Sequence, residues 1–262
     1  MSDEGTDPLF SLIKQKNKMF DEPKKKVKVT SFNWQDTVGK LPDVKHQGYG
    51  ESCFAFVVLG VMESLYEKKI LLSCQDVFNH LTKPSEKEKD KVKGASIKDT
   101  LVWIRDNGCI LERDCPYDFD GKVTPFEYKR KPCLRVQTFF KMEIPLKPNK
   151  RLEKDLEWEI QQGPLAAEML WLPGMERMTG EVYSGPVDET VFEKAEKHGV
   201  MLVGFGETIK NNKLIKFWII QNSHGEKWGE KGFGRINRAP CHGRLLIYSA
   251  WVIRGVTDIM DK

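Results

Sequence analysis

The segment Gln47-Gly48-Tyr49-Gly50-Glu51-Ser52-Cys53-Phe54-Ala55-Phe56 sets a cysteine where a glycine-rich turn runs into an apolar stretch. A helix N-terminus carries roughly half a positive charge, which draws a thiol toward the thiolate, its nucleophilic form. Cys53 is therefore a candidate nucleophile; the plainer alternative is a small buried hydrophobe. Gln47, upstream in the same segment, has an amide N–H able to stabilise a developing oxyanion. Two later segments offer partners. Lys197 to Gly206 places His198 at the entrance to an apolar strand, and Phe217 to Phe233 ends a strand at Asn222 before a turn rich in Gly and Trp. An imidazole can take a thiol proton and later protonate a leaving amine, while an amide oxygen orients the ring.

These three segments carry a resemblance. The first family motif of the papain-like (C1) cysteine peptidases, Q-G-x-C-G-S-C-W-A-F, is similar to Gln47–Phe56. The histidine motif, H-A/G-V-x-x-V-G-Y/F-G, is matched from His198 to Gly206. The asparagine motif, K-N-S-W-G-x-x-W-G-x-x-G-Y/F, is matched with two changes from Gln221 to Phe233. Similarity also shows at Phe32-Asn33-Trp34, Pro116-Tyr117 and Gly163-Pro164, so it runs from about Val29 to the C-terminus. The resemblance implies Cys53 as nucleophile, His198 as general acid/base, Asn222 as ring orienter and Gln47 as oxyanion donor beside the Cys53 N–H. It implies peptide or protein substrates, with protein inhibitors of cysteine proteases as a further class of partner, and no cofactor. No C-x₂-C or H-x₃-H spacing supports a metal site.

Four positions depart from the family pattern. Phe54 stands where Trp is usual. His224 replaces the Trp that covers the His–Asn hydrogen bond, which predicts a wetter and looser contact. Lys197, beside the histidine, is expected to disfavour the imidazolium, and Glu51 to disfavour the thiolate. Phe54 keeps the packing but loses an indole N–H; with Lys197, His224, Glu51 and the missing prodomain, a catalytically impaired relative that binds peptides or inhibitor proteins stands as the alternative to an endopeptidase. Acyl transfer to an acceptor other than water is a third reading. By position after Gly163-Pro164, Glu168 falls at the floor of the family's main side-chain pocket, and Glu196 near another wall. Together they would favour Arg or Lys in the substrate; the alternative is that they face solvent or pair with Lys194 or Lys197. Trp228 belongs to the same candidate binding set and also packs the Gly-rich turn.

The six cysteines, Cys53, Cys74, Cys109, Cys115, Cys133 and Cys241, do not fill the family's disulfide frame. Gly50, the region of His80 and Val187 stand where half-cystines are usual, and Cys133 and Cys241 lie near half-cystine positions without their partners. That favours a reducing compartment. The polar start Met1-Ser2-Asp3-Glu4 shows no secretory signal, and no apolar run reaches the roughly 18–20 residues that span a bilayer. The resemblance leads one to expect a long inhibitory prodomain, for which the tail is too short. An intracellular location, cytoplasmic or nuclear, is the expectation, or a vacuole or lysosome if the chain is a shortened form. Pro23-Lys24-Lys25-Lys26-Val27-Lys28 has the form of a nuclear import signal or of a plain solvated tail. A net charge of +4 on 262 residues, with no basic stripe interleaved with aromatics, argues against nucleic acid as partner.

These residues must be positioned by a scaffold, and 40% hydrophobic with 31% charged residues fits an ordinary globular enzyme. A helix is expected from Cys53 to Lys68. Ser73 and Ser96 each open a capping box, with Asp76 and Asp99 in the third helical position and Gly108 as a stop; Asn149 opens a helix over 150–162. Strands are expected at 165–169, 200–205, 214–221, 233–236 and 245–252. Helices followed by strands indicate an α+β fold. The charged segment 83–98 reads as a mobile loop. The resemblance adds a two-lobe arrangement: a tail over 1–30, a helical lobe carrying the nucleophile over 31–140, and an antiparallel β-barrel-like lobe carrying His and Asn over 141–262, with the active site in the cleft between them.

Overall fold

Capping chemistry sets the helices. The computed structural model describes residues 30–66, 69–84, 92–120, 122–123, 128–147 and 149–259; the lysine run at 24–28 and residues 85–91 of the charged segment lie outside them. Helix α1 spans Cys53–Leu65, α2 Cys74–Leu81, α3 Ile97–Asn107 and α4 Lys150–Gln162. The Ser73 hydroxyl accepts the Asp76 N–H at 3.0 Å, Ser96 accepts Asp99 N–H at 3.0 Å, and Asn149 accepts from Arg151 and Leu152. Gly108 ends α3 in a left-handed conformation, φ +70°, that a side chain would strain. The Ser73 box is only half formed. Asp76 turns its carboxylate toward Arg130 and Tyr128, and the Ser73 N–H donates to the Ile110 carbonyl instead.

The described residues form ten strands, of which β5, β7, β8, β9 and β10 match the five expected: β1 (Phe32–Asn33), β2 (Lys83–Pro84), β3 (Val92–Lys93), β4 (Leu134–Glu143), β5 (Leu165–Trp171), β6 (Val182–Tyr183), β7 (Glu196–Lys210), β8 (Lys213–Gln221), β9 (Phe233–Asn237) and β10 (Ile247–Asp258). Strands β2 and β3 pair with each other. The main sheet runs β4-β10-β5-β7-β8-β9-β6 with β1 added to β7; it is an open path, antiparallel except for β6 on β9. Strand β4, like the short β1, β2, β3 and β6, is absent from the sequence-based expectations, and the β2–β3 pair lies within the segment 83–98 expected to be a loop. In β4 only Leu134 and Val136 alternate inward, and the rest of this edge strand is exposed or half exposed.

The sheet serves two cores. Ala166, Met201, Val203, Trp251 and Ile253 join the helices α1, α2 and α3, whereas Leu165, Ala167, Leu202, Ala250 and Val252 face the second core with α4. Adjacent residues fall in opposite cores because strand side chains alternate. Helix α1 is buried continuously from Phe54 to Ser64, wedged between the other helices and the sheet. Gly60 lets β7 approach, since a Cβ there would lie 2.6 Å from the Met201 sulfur. Residues Ser31–Lys262 form one compact unit. No helix among the described residues is long and apolar enough to cross a membrane.

Candidate active site

Two loops from different parts of the chain are zipped together beside Cys53. The Gln47 N–H donates to the Ser223 carbonyl at 2.8 Å, the Gly225 N–H donates to the Lys45 carbonyl at 3.0 Å, and His46 bridges to His224. Tyr117 ties the same region to α1: its hydroxyl donates to the Gln47 carbonyl at 2.8 Å and lies 2.6 Å from the Ser52 hydroxyl. The Ser52 carbonyl takes the Ala55 and Phe56 N–H groups, while the N–H groups of Cys53 and Phe54 face the Cys53 sulfur. Strand β7 passes over this turn. The Gly199 N–H faces Sγ, and a Cβ at Gly199 would sit 3.1 Å from Val57.

His198 opens β7 and Asn222 follows β8, and their side chains meet with Nε2 2.8 Å from Oδ1. The direction of this bond follows from a neighbour. Asn222 Oδ1 also accepts the Ser223 backbone N–H at 2.9 Å, so the oxygen is the acceptor and the imidazole must donate. A neutral ring that donates from Nε2 leaves Nδ1 bare, which is the state a general base requires. Gln47 is fixed by the same logic. Its Oε1 accepts from Ser223 Oγ at 2.5 Å, so its amide nitrogen lies on the other side, where one N–H goes to the Gly50 carbonyl at 2.9 Å and a second remains.

A profile described as "Papain family cysteine protease" matches residues 29–247. The chain belongs to the papain family of cysteine proteases. It is 27% identical over 222 residues to Cathepsin 7 of Rattus norvegicus, covering 82% of this chain and 63% of that protein. It is 26% identical over 228 residues to Cysteine proteinase A of Leishmania mexicana, covering 79% and 55%. The chain thus spans less than two thirds of these relatives' length. The bromelain protease from Ananas comosus, solved in complex with the E64 inhibitor, shares the fold with a TM-score of 0.64 at 21% identity, over 86% of this chain and 98% of that one. The digestive procathepsin L 3 of Tenebrio molitor gives 0.61 at 21% identity, over 88% and 71%.

Within this papain-family site the resting electrostatics favour neutral partners. Burial pushes the Cys53 thiol up, against the pull of the Gly199, Phe54 and Cys53 N–H groups, and Glu51 pushes it further. Burial lowers His198 to about 4, opposed by the Asn222 hydrogen bond and reinforced by the neighbouring His224. No hydrogen bond joins Sγ to the His198 ring. The expectation for Glu51 holds; that for Lys197 is corrected. Lys197 is exposed, because consecutive strand residues face opposite ways, and the neighbouring titratable group that lowers His198 is His224. A measurable consequence follows. Alkylation of Cys53 by iodoacetamide is expected to rise steadily through pH 9, the ordinary thiol value, with no plateau between about pH 5 and 7. A plateau there would reveal a preformed thiolate–imidazolium pair and overturn the reading.

The remaining candidates are placed as follows. Glu168 does not pair with Lys194 or Lys197. Its carboxylate accepts from the Ser249 hydroxyl and lies 3.2 Å from Lys141 Nζ, a cation that Glu143 shares at 2.8 Å. Glu196 is exposed at the start of β7. The Trp228 indole is 5% exposed and donates to the Met175 carbonyl at 2.9 Å, which leaves it little surface to offer a substrate. Sequence reasoning missed Ser223, which orients both the Gln47 and Asn222 amides. It also missed Trp171, whose ring lies 4.8 Å from those of both His198 and His224, and His46, whose Nδ1 accepts the Gly48 N–H. Of these signals, only Ser223 lay inside a recognised motif. The described residues hold no group of three or more His, Cys, Asp or Glu arranged to bind a metal, and all six cysteines are free thiols.

Proposed function

We propose that this chain is a cysteine-type endopeptidase whose thiol is neutral at rest and is activated by its base during attack. The observation that carries this is the His198–Asn222 hydrogen bond, polarised so that Nδ1 is free to accept a proton. In the reaction, the Cys53 thiol proton passes to Nδ1 as Sγ bonds to the scissile carbonyl carbon. The carbonyl oxygen becomes an oxyanion beside the Cys53 N–H and the second Gln47 N–H. His198 then protonates the leaving amine as the C–N bond breaks, and water hydrolyses the thioester by the reverse proton path. Sγ must swing from the Gly199 N–H toward the ring for this to occur. Such tightening of a long contact on substrate binding is common in unliganded sites.

One observation favours a second reading. The raised Cys53 thiol, with no bond to His198, suits a chain that holds peptides or protein inhibitors without cleaving them. Labelling with an epoxysuccinyl probe, read by intact mass, separates the two. The peptidase reading expects one adduct per chain, lost in both Cys53→Ala and His198→Ala. No adduct on folded protein in reducing buffer would leave the binding role.

A further inference from the structure

We propose that Trp171 is a positioning residue that covers the His198–Asn222 pair from strand β5, holding the imidazole in register. The inference rests on the peptidase reading and deepens it. The register places the two rings together. Met169 pairs with His198 and Trp171 with Glu196, so Trp171 and His198 share a face as diagonal neighbours, a separation that aromatic side chains span. Their ring centroids are 4.8 Å apart. The indole is itself held. It is 8% exposed, its N–H donates to Glu176 Oε1 at 3.1 Å, and Trp228 lies behind it at 6.0 Å. His224 completes the wall at 4.8 Å from Trp171 and 5.1 Å from His198.

The expectation of a wet, loose contact drawn from His224 alone is thereby corrected. His224 is smaller than an indole, but the missing bulk arrives from another strand. Asn222 is 3% exposed and His198 is half-buried, so the hydrogen bond is shielded from water on the Asn222 side. A shielded bond is stronger than a solvated one and keeps the ring from rotating out of line with Sγ. The charged and titratable groups around the ring are Cys53, whose Sγ faces the adjacent Gly199 N–H, His224 and, facing His224, His46 and Glu176; Glu196 and Lys197 are exposed.

Ring-nitrogen NMR of histidine-labelled protein tests the role without requiring turnover. In the wild type, His198 should stay neutral with its proton on Nε2 until about pH 4. In Trp171→Leu the titration should move up toward the ordinary 6.5, and in Trp171→Phe by a smaller step, as water reaches the ring. Trp34→Leu, which removes an indole bonded to the distant Ile160 carbonyl, should leave it at about 4. A His198 titration unmoved in both Trp171 variants, with the fold intact by circular dichroism, overturns the proposal. So does an equal shift in Trp34→Leu. Absent probe labelling of the wild type would instead sink the peptidase reading and leave this titration decisive for Trp171.

Discussion

His198→Ala should lower kcat/KM for a fluorogenic peptide by about 10²–10⁴-fold, the range typical of a lost general acid/base. KM should change only a few-fold. The reason lies in the resting protonation state. Here burial holds the proton on Cys53, so sulfur becomes nucleophilic only as the base withdraws it. The loss should therefore fall on kcat and should shrink as pH is raised toward the thiol's own range, where hydroxide replaces the base. Steady-state kinetics between pH 6 and 10 check this. A loss that does not vary with pH would mean that His198 acts in some way other than deprotonating Cys53.

Arg130→Met should cost about 3–5 kcal/mol of stability, the range for breaking a buried ion pair from one side. Asp76 is fully buried at the start of α2 and accepts from Arg130 Nε and Nη2 at 3.0 Å and from the Tyr128 hydroxyl at 2.9 Å. The same guanidinium donates to the Gly108 carbonyl at 2.9 Å, just past the end of α3, and stacks over Trp103 at 4.6 Å. One side chain thus joins the start of one helix to the end of another beneath α1. Removing it leaves the buried Asp76 carboxylate without its guanidinium, with the Tyr128 hydroxyl at 2.9 Å and His80 Nδ1 at 3.4 Å as its remaining neighbours. The double variant Asp76→Asn/Arg130→Met should recover part of the loss, because no charge is then left unpaired. Guanidinium unfolding followed by circular dichroism measures both; a single variant within about 0.5 kcal/mol of wild type, the size of an ordinary surface change, would show that the pair is not load-carrying.

The network also shows where local sequence signals stop. Ser73-Cys74-Gln75-Asp76 reads as a capping box, and half of it forms, since a Ser hydroxyl finds the N–H three residues on whatever surrounds it. The other half is overridden, because Arg130 lies 54 residues away and a guanidinium competes better for the carboxylate than a backbone N–H does.

The sequence by itself determined the helices with most of their caps, most of the sheet, and the choice of Cys53, His198, Asn222 and Gln47 as candidate site residues. Each of these rests on contiguous residues: a capping pattern, an apolar run or a motif read along the chain. Tertiary structure alone decided what surrounds them. The β5–β7 register sets Trp171 against His198, strand alternation turns Lys197 away, Lys141 sits between Glu168 and Glu143, and burial puts the resting proton on sulfur. Register, burial and charge pairing depend on distances between residues far apart in the chain, and nothing in the neighbouring sequence encodes them.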